Sequence, residues 1–127
     1  EDATLIGRLA EDWVRESLEN MDGVGNIRHH SVVGETPGYD LSYSNDLGEI
    51  IRLEVKGTKN PTMTNFDLTR NEWNAAKKFR SSYKVWIVTD VMANPKIHEL
   101  EDPYGEWEHG GIGIEPMVYQ VSKIRAK

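Results

Sequence analysis

Asp40, Glu54 and Lys56 are the residues whose types and spacing could do chemistry, because two carboxylates and an ammonium fall at the ends of two neighbouring predicted strands. Gly38-Tyr39-Asp40-Leu41-Ser42-Tyr43-Ser44 alternates polar and apolar residues, and Ile50-Ile51-Arg52-Leu53-Glu54-Val55-Lys56 alternates again. Asn45-Asp46-Leu47-Gly48 supplies the turn between them, so the segment reads as a β-hairpin. Side chains alternate across a strand, which puts Arg52, Glu54 and Lys56 on one face and Ile51, Leu53 and Val55 on the other, against a core. With Asp40 on the Glu54 side, a hard cation has two oxygen ligands and a lysine beside it.

Such a site suits phosphate chemistry. Mg²⁺, or Mn²⁺, takes carboxylate, carbonyl and water oxygens and usually needs only one or two protein carboxylates plus substrate phosphate. Asp40, Glu54 and the Val55 carbonyl meet that need. A bound ion lowers the pKa of a water and neutralises charge on phosphoryl oxygens, while Lys56 adds a compact positive charge for the transition state. Taken alone, the pattern is also what a solvated strand face carries.

The elements that must position these groups follow from periodicity. Leu5, Ile6, Leu9, Ala10, Trp13, Val14, Ser17, Leu18 and Met21 recur every three or four residues, predicting a helix over Thr4–Asn20 that Gly23 and Gly25 end. Glu11 sits at the border of that stripe. A strand is expected around Ile27–Val33, then the hairpin, then a polar, Pro-broken loop over Gly57–Asn65. Thr69-Arg70-Asn71-Glu72 is a capping box opening a helix to about Phe79, with Trp73, Ala76 and Phe79 inward. Lys84–Val91 is a continuous apolar run, as in a strand buried on both faces. Weaker strand signals lie at Lys96–Leu100 and Met117–Ile124.

The chain has 127 residues, enough for one domain with its own core, and begins at Glu1 without methionine, as expected of a module excised from a larger protein. No apolar run approaches a membrane span and no signal-peptide pattern opens it. With no cysteine there are neither disulfides nor thiolate metal sites, which fits an intracellular setting, cytoplasmic or nuclear. The net charge is −6, yet Arg52–Lys84 holds eight basic and three acidic residues, a local +5 that leaves −11 to the remainder. Lys59, Arg70, Lys77, Lys78 and Arg80 could therefore meet a nucleic-acid backbone, weakly for this module alone. Lys77, Lys78 and Arg80 equally suit the solvated C-terminal end of a helix. His29 and His30 point to opposite faces of a strand and cannot share one metal, and none of the four histidines has metal-motif spacing. No phosphate-binding Gly loop is present, and the serines lack a nucleophile-elbow setting. Tyr39, Tyr43 and Trp107 could stack on bases, though packing is the commoner fate of such residues.

Gly7-Arg8-x-x-Glu11, Gly38-Tyr39-Asp40, Leu53-Glu54-Val55-Lys56-Gly57-Thr58, Phe66-x-Leu68-Thr69-x-Asn71-Glu72, Tyr83 and the Val85–Val91 run together resemble the PD-(D/E)XK nuclease superfamily. The branch they resemble is the domain at the C-terminus of NO VEIN-type proteins and in restriction-like and helicase-associated bacterial proteins. The resemblance runs from about Thr4 to Val91. It implies an α/β (α+β) restriction-endonuclease-like αβββαβ core of about residues 4–91, a mixed sheet flanked by helices; beyond Asn94 it gives little, and the strand signals within 95–127 are read as accessory C-terminal strands. It further implies that Asp40 and Glu54 are metal ligands, that Lys56 is the catalytic lysine and that Glu11 completes the site. Gly38-Tyr39 stands where the superfamily name places Pro before Asp. The expected activity is Mg²⁺-dependent endonucleolytic hydrolysis of DNA in a restriction or defence protein whose other domains recognise the target. A homodimer would supply the two sites that double-strand cleavage needs. The alternatives are a non-catalytic nuclease-fold module that binds nucleic acid or protein, and an RNA-cleaving or DNA-repair nuclease.

Overall fold

Ala10, Val14 and Leu18 recur at helical spacing and have no exposed surface, so the first helix, α1 (Asp2–Glu19), is held by one narrow apolar stripe. Leu5, Trp13 and Met21 lie outside that stripe and remain exposed. The computed structural model describes residues 2–115, and the expected strand at Met117–Ile124 lies outside them. The remaining order is β1 (Gly25–His29), β2 (Leu41–Ser44), β3 (Ile50–Gly57), α2 (Arg70–Phe79), β4 (Tyr83–Thr89), β5 (Lys96–Glu101) and α3 (Pro103–Glu108), with a 3₁₀ turn at Arg80–Ser82. The described residues are thus α+β, with a mixed sheet of five strands ordered β1-β2-β3-β4-β5 and three α-helices. Through β4 the order is αβββαβ, as expected. The early strands form antiparallel pairs, α2 carries the chain back so that β4 runs parallel to β3, and β5 adds an antiparallel edge.

The two sheet faces bury different things. Against α1 lie Leu41, Tyr43, Ile51, Leu53, Val55, Trp86 and Val88. Against α2 and α3 lie Tyr83 and Val85, with Tyr39, Phe66, Trp73, Phe79 and Tyr104 around them. The expected split of β3, with Ile51, Leu53 and Val55 on the core side, is what forms. β4 is buried along most of its length, as its apolar run requires.

β1 ends earlier than its sequence suggests. The N–H groups of His30 and Ser31 both turn to the Asp40 carbonyl, and Glu35 N–H donates to the His30 carbonyl, so residues 30–34 form a turn and leave Val32 and Val33 each 70% exposed. Apolar type alone favoured a strand there, and the local hydrogen bonds override it. In the hairpin, the Asn45 side-chain oxygen accepts from Leu47 N–H and Glu49 N–H, which fixes the turn.

Candidate active site

β2 and β3 pair antiparallel with Leu41 opposite Leu53, so one step further Asp40 meets Glu54 on the face away from α1. Asp40 is stitched to both neighbouring strands. Its N–H donates to the Leu53 carbonyl at 2.8 Å, its carbonyl accepts from His30 N–H at 2.8 Å, and its Oδ2 accepts from Val55 N–H at 2.9 Å. Such bonds fix the rotamer and direction of the carboxylate.

Glu54 is only 3% exposed. Its Oε2 lies 3.3 Å from the Lys56 ammonium, whereas its Oε1 is buried with no hydrogen-bond partner. Lys56 Nζ also lies 3.4 Å from Glu72 Oε1. The electrostatics follow from this crowding. Burial pushes Glu54 up to about 10, and the negative charges of Asp40 and Glu72 add to it faster than Lys56 relieves it. Burial likewise pushes Asp40 up to about 6, with the Val55 N–H bond pulling it down and Glu11 and Glu72 pushing it up. For Lys56, burial disfavours the charged form, but Glu54 and Glu72 outweigh it and hold the ammonium above the ordinary lysine range. One lysine thus stands among Asp40, Glu54 and Glu72, and acid outnumbers base in this buried corner.

Glu11 reaches this region from α1. Its Oε1 accepts from His29 Nε2–H at 2.9 Å and from Ser31 Oγ–H at 2.5 Å, and its charge is felt by Asp40. Arg8, Ser31 and Val32 line the shallow hollow beside it. Gly57 permits the approach, because a Cβ there would stand 2.6 Å from the Cβ of Ala10, the residue before Glu11. At the other side, Gly38 has φ +100°, and a Cβ on it would stand 2.7 Å from Ala75 Cβ and 2.8 Å from the Asn71 carbonyl. The chain before Asp40 therefore passes directly under the first turns of α2. The Gly38 carbonyl accepts from the buried Tyr83 hydroxyl at 2.8 Å. Tyr39 fills the position before Asp40 by packing edge-on against His30, Phe79 and Tyr83.

The structure thus brings Asp40, Glu54 and Lys56 together, with the Val55 backbone between them, and sets Glu11 at the margin. Among the described residues no three His, Cys, Asp or Glu side chains form a group arranged to hold a metal, and Glu11 is directed to His29 and Ser31.

The two adjacent histidines face opposite ways as expected, His29 to α1 and His30 to Tyr39 and Ser42. Glu35, His30 and Ser42 have the connectivity of a nucleophilic relay, at 2.7 and 2.8 Å, but Ser42 is only 6% exposed, so no substrate reaches its hydroxyl.

Of the five cations expected to meet nucleic acid, all are exposed, but Arg80 is paired with Glu108 at 2.7 Å and lies over Tyr104. Lys77 lies over Tyr104 and Lys78 over Phe79, while Lys59 and Arg70 stand near the two ends of the loop between β3 and α2. Arg52 is taken up by the Phe79 ring and the Ser82 hydroxyl. Tyr43 is core, and Trp107 packs on Trp73 and Tyr104 while remaining 42% exposed.

Two partners escaped the sequence. Thr69 and Glu72 form the capping box as predicted, with Glu72 N–H donating to Thr69 Oγ1 at 3.1 Å and Thr69 N–H to Glu72 Oε1 at 2.9 Å. That sufficient local reason concealed the contact of Glu72 with Lys56. The pairing of His29 with Glu11 depends on how α1 lies across β1, which no local pattern encodes.

Fold and site together define a mixed α+β domain whose central hairpin carries an acid pair and a lysine beneath a helix start. The chain belongs to the NO VEIN C-terminal family, whose model matches residues 6–100 and so includes Glu11, Asp40, Glu54, Lys56 and Glu72. No curated protein and no solved structure matches the chain. Among the described residues no helix is long and apolar enough to cross a membrane.

Proposed function

We propose that this domain is a Mg²⁺- or Mn²⁺-dependent endonuclease module of the PD-(D/E)XK type that hydrolyses phosphodiester bonds in DNA, as the cleaving part of a restriction or defence protein. The observation that carries this reading is the buried Glu54 Oε1, which has no partner and faces a neighbourhood already rich in acid. A divalent cation there would satisfy that oxygen and offset the cost of ionising Asp40 and Glu54 in a buried site. Asp40, Glu54 and the Val55 carbonyl would hold it, with Glu11 approaching from α1. When bound, the ion supplies an activated water and charge neutralisation at the phosphate.

The chain's own groups do the rest. Val55 N–H keeps Asp40 aimed, so the acid loses little freedom when it binds. Lys56, kept charged by its two acidic neighbours, offers an ammonium to the phosphoryl oxygens as negative charge accumulates there. Lys59, Arg70, Lys77 and Lys78 offer exposed positive charge for the substrate backbone, while other domains of the parent protein choose the sequence.

The test is nicking of supercoiled plasmid by the purified chain with Mg²⁺ or Mn²⁺, with a parallel single-stranded RNA arm. Metal-dependent nicking that disappears in Glu54→Ala and Lys56→Ala, both still folded, upholds the reading. Cleavage of RNA alone would reassign the substrate. Tight metal binding to the wild type without cleavage of either polymer would leave a nuclease-fold binding module in its place.

A further inference from the structure

We propose that Glu72 is a positioning residue of this site, holding the Lys56 ammonium in place so that the first turn of α2 is part of the active centre. The inference deepens the hydrolytic reading and rests on it. A single oxygen, Glu72 Oε1, accepts from Thr69 N–H at 2.9 Å and lies 3.4 Å from Lys56 Nζ. The first contact ties the carboxylate to the helix start, where the N-terminal dipole favours negative charge. The second hands that fixed charge to the lysine.

The helix start is itself immobilised on the chain that leads into Asp40. Asn71 Nδ2 donates to the Thr36 carbonyl at 3.0 Å, and the missing side chain of Gly38 lets Asn71 and Ala75 sit against it. Asp40, Glu72 and Lys56 are therefore referenced to one rigid corner. This matters because the other acid holding Lys56 is Glu54, the carboxylate whose oxygens a cation would engage. Without Glu72, Lys56 would have no second carboxylate to hold it once Glu54 turned elsewhere, and an unanchored lysine spends its side-chain entropy searching for the phosphate. Glu72 is not a substrate-touching group in this account.

Glu72→Gln separates the two roles, since glutamine at this position still accepts from Thr69 N–H and completes a capping box, but carries no charge for Lys56. Thr69→Ala does the reverse, weakening the cap and leaving the carboxylate. The readout is acetylation of Lys56 by an amine-reactive ester, measured by peptide mass spectrometry with exposed Lys59 as internal reference. The expected result is Lys56 labelling raised about two- to fivefold in Glu72→Gln and near wild type in Thr69→Ala, in keeping with a partly exposed ion pair. Equal labelling in wild type and Glu72→Gln would overturn the proposal, as would a rise in Thr69→Ala matching that in Glu72→Gln. In the nicking assay, Glu72→Gln should lower kcat and leave KM for DNA unchanged. Raised labelling in a protein that never cleaves would sink the hydrolytic reading while upholding the anchoring of Lys56 by Glu72.

Discussion

Two polar clusters flank Asp40, and they differ in whether their hydrogen bonds close. In one, His30 uses both ring nitrogens, Nδ1 with Glu35 and Nε2 with Ser42, and its backbone N–H with the Asp40 carbonyl. In the other, Glu54 leaves one oxygen orphaned, and burial pushes both Glu54 and Asp40 above the usual carboxylate range, with Asp40 and Glu72 adding to the first and Glu11 and Glu72 to the second. A closed cluster stabilises the fold, whereas an open one leaves the cost of burying a polar atom unmet within the chain. Composition does not separate them, for each contains an acid and a proton donor.

The contrast can be broken at either cluster. The largest expected effect is on chemistry: Lys56→Ala or Glu54→Ala, or removal of divalent metal by a chelator, should cut plasmid nicking by about 10²–10³-fold, the usual cost of removing one preorganised charge. Next, His30→Ala should destabilise the fold by about 2–4 kcal/mol in denaturant titration, because it opens a cavity and strands the Ser42 hydroxyl. A loss below about 0.5 kcal/mol would show that the closed cluster is not structural.

Glu54→Gln should do the opposite and stabilise the metal-free protein by about 1–3 kcal/mol at pH 8. The sign follows from linkage. The folded Glu54 carboxyl, pushed up to about 10 from an ordinary 4.5, binds its proton more tightly than the unfolded one. Wild-type stability is therefore highest below the unfolded value and falls as pH rises through the window up to the folded value. The gap between Glu54→Gln and wild type should be small near pH 4 and widen toward alkaline pH, as chemical denaturation at several pH values would reveal. A constant gap would remove the open cluster's defining property. The smallest effect is expected from Thr69→Ala, about 1 kcal/mol from loss of one helix cap, read by thermal melting.

How much of this was legible in the sequence depended on range. The hairpin, its Asn45–Gly48 turn and the face shared by Glu54 and Lys56 follow from period-two alternation, so they were readable locally. The α2 start was readable to the residue because its capping box is a four-residue device. The α1 stripe was readable too, although it proved narrower, since period alone cannot say which flanking residues the sheet covers. The end of β1 was not readable, because Val32 and Val33 carry strand-like side chains while the His30 and Ser31 N–H groups are claimed by Asp40, ten and nine positions away. Glu72 on Lys56 and His29 on Glu11 join elements that only the assembled sheet brings together. For Glu72 the capping box was already a sufficient local explanation, which gave no reason to look further.

Gly57 sets how closely the first helix can lie on the hairpin. The space a methyl would need is occupied by Ala10, and the Ile6 carbonyl stands 3.3 Å from the same point. The absence of one carbon atom thus acts as a depth gauge, seating the helix that bears Glu11 at the end of the strand that bears Lys56. Enlarging that residue would wedge the helix outward and tilt it about its buried Val14–Leu18 stretch, drawing the Glu11 carboxylate away from Asp40 without altering any acidic residue.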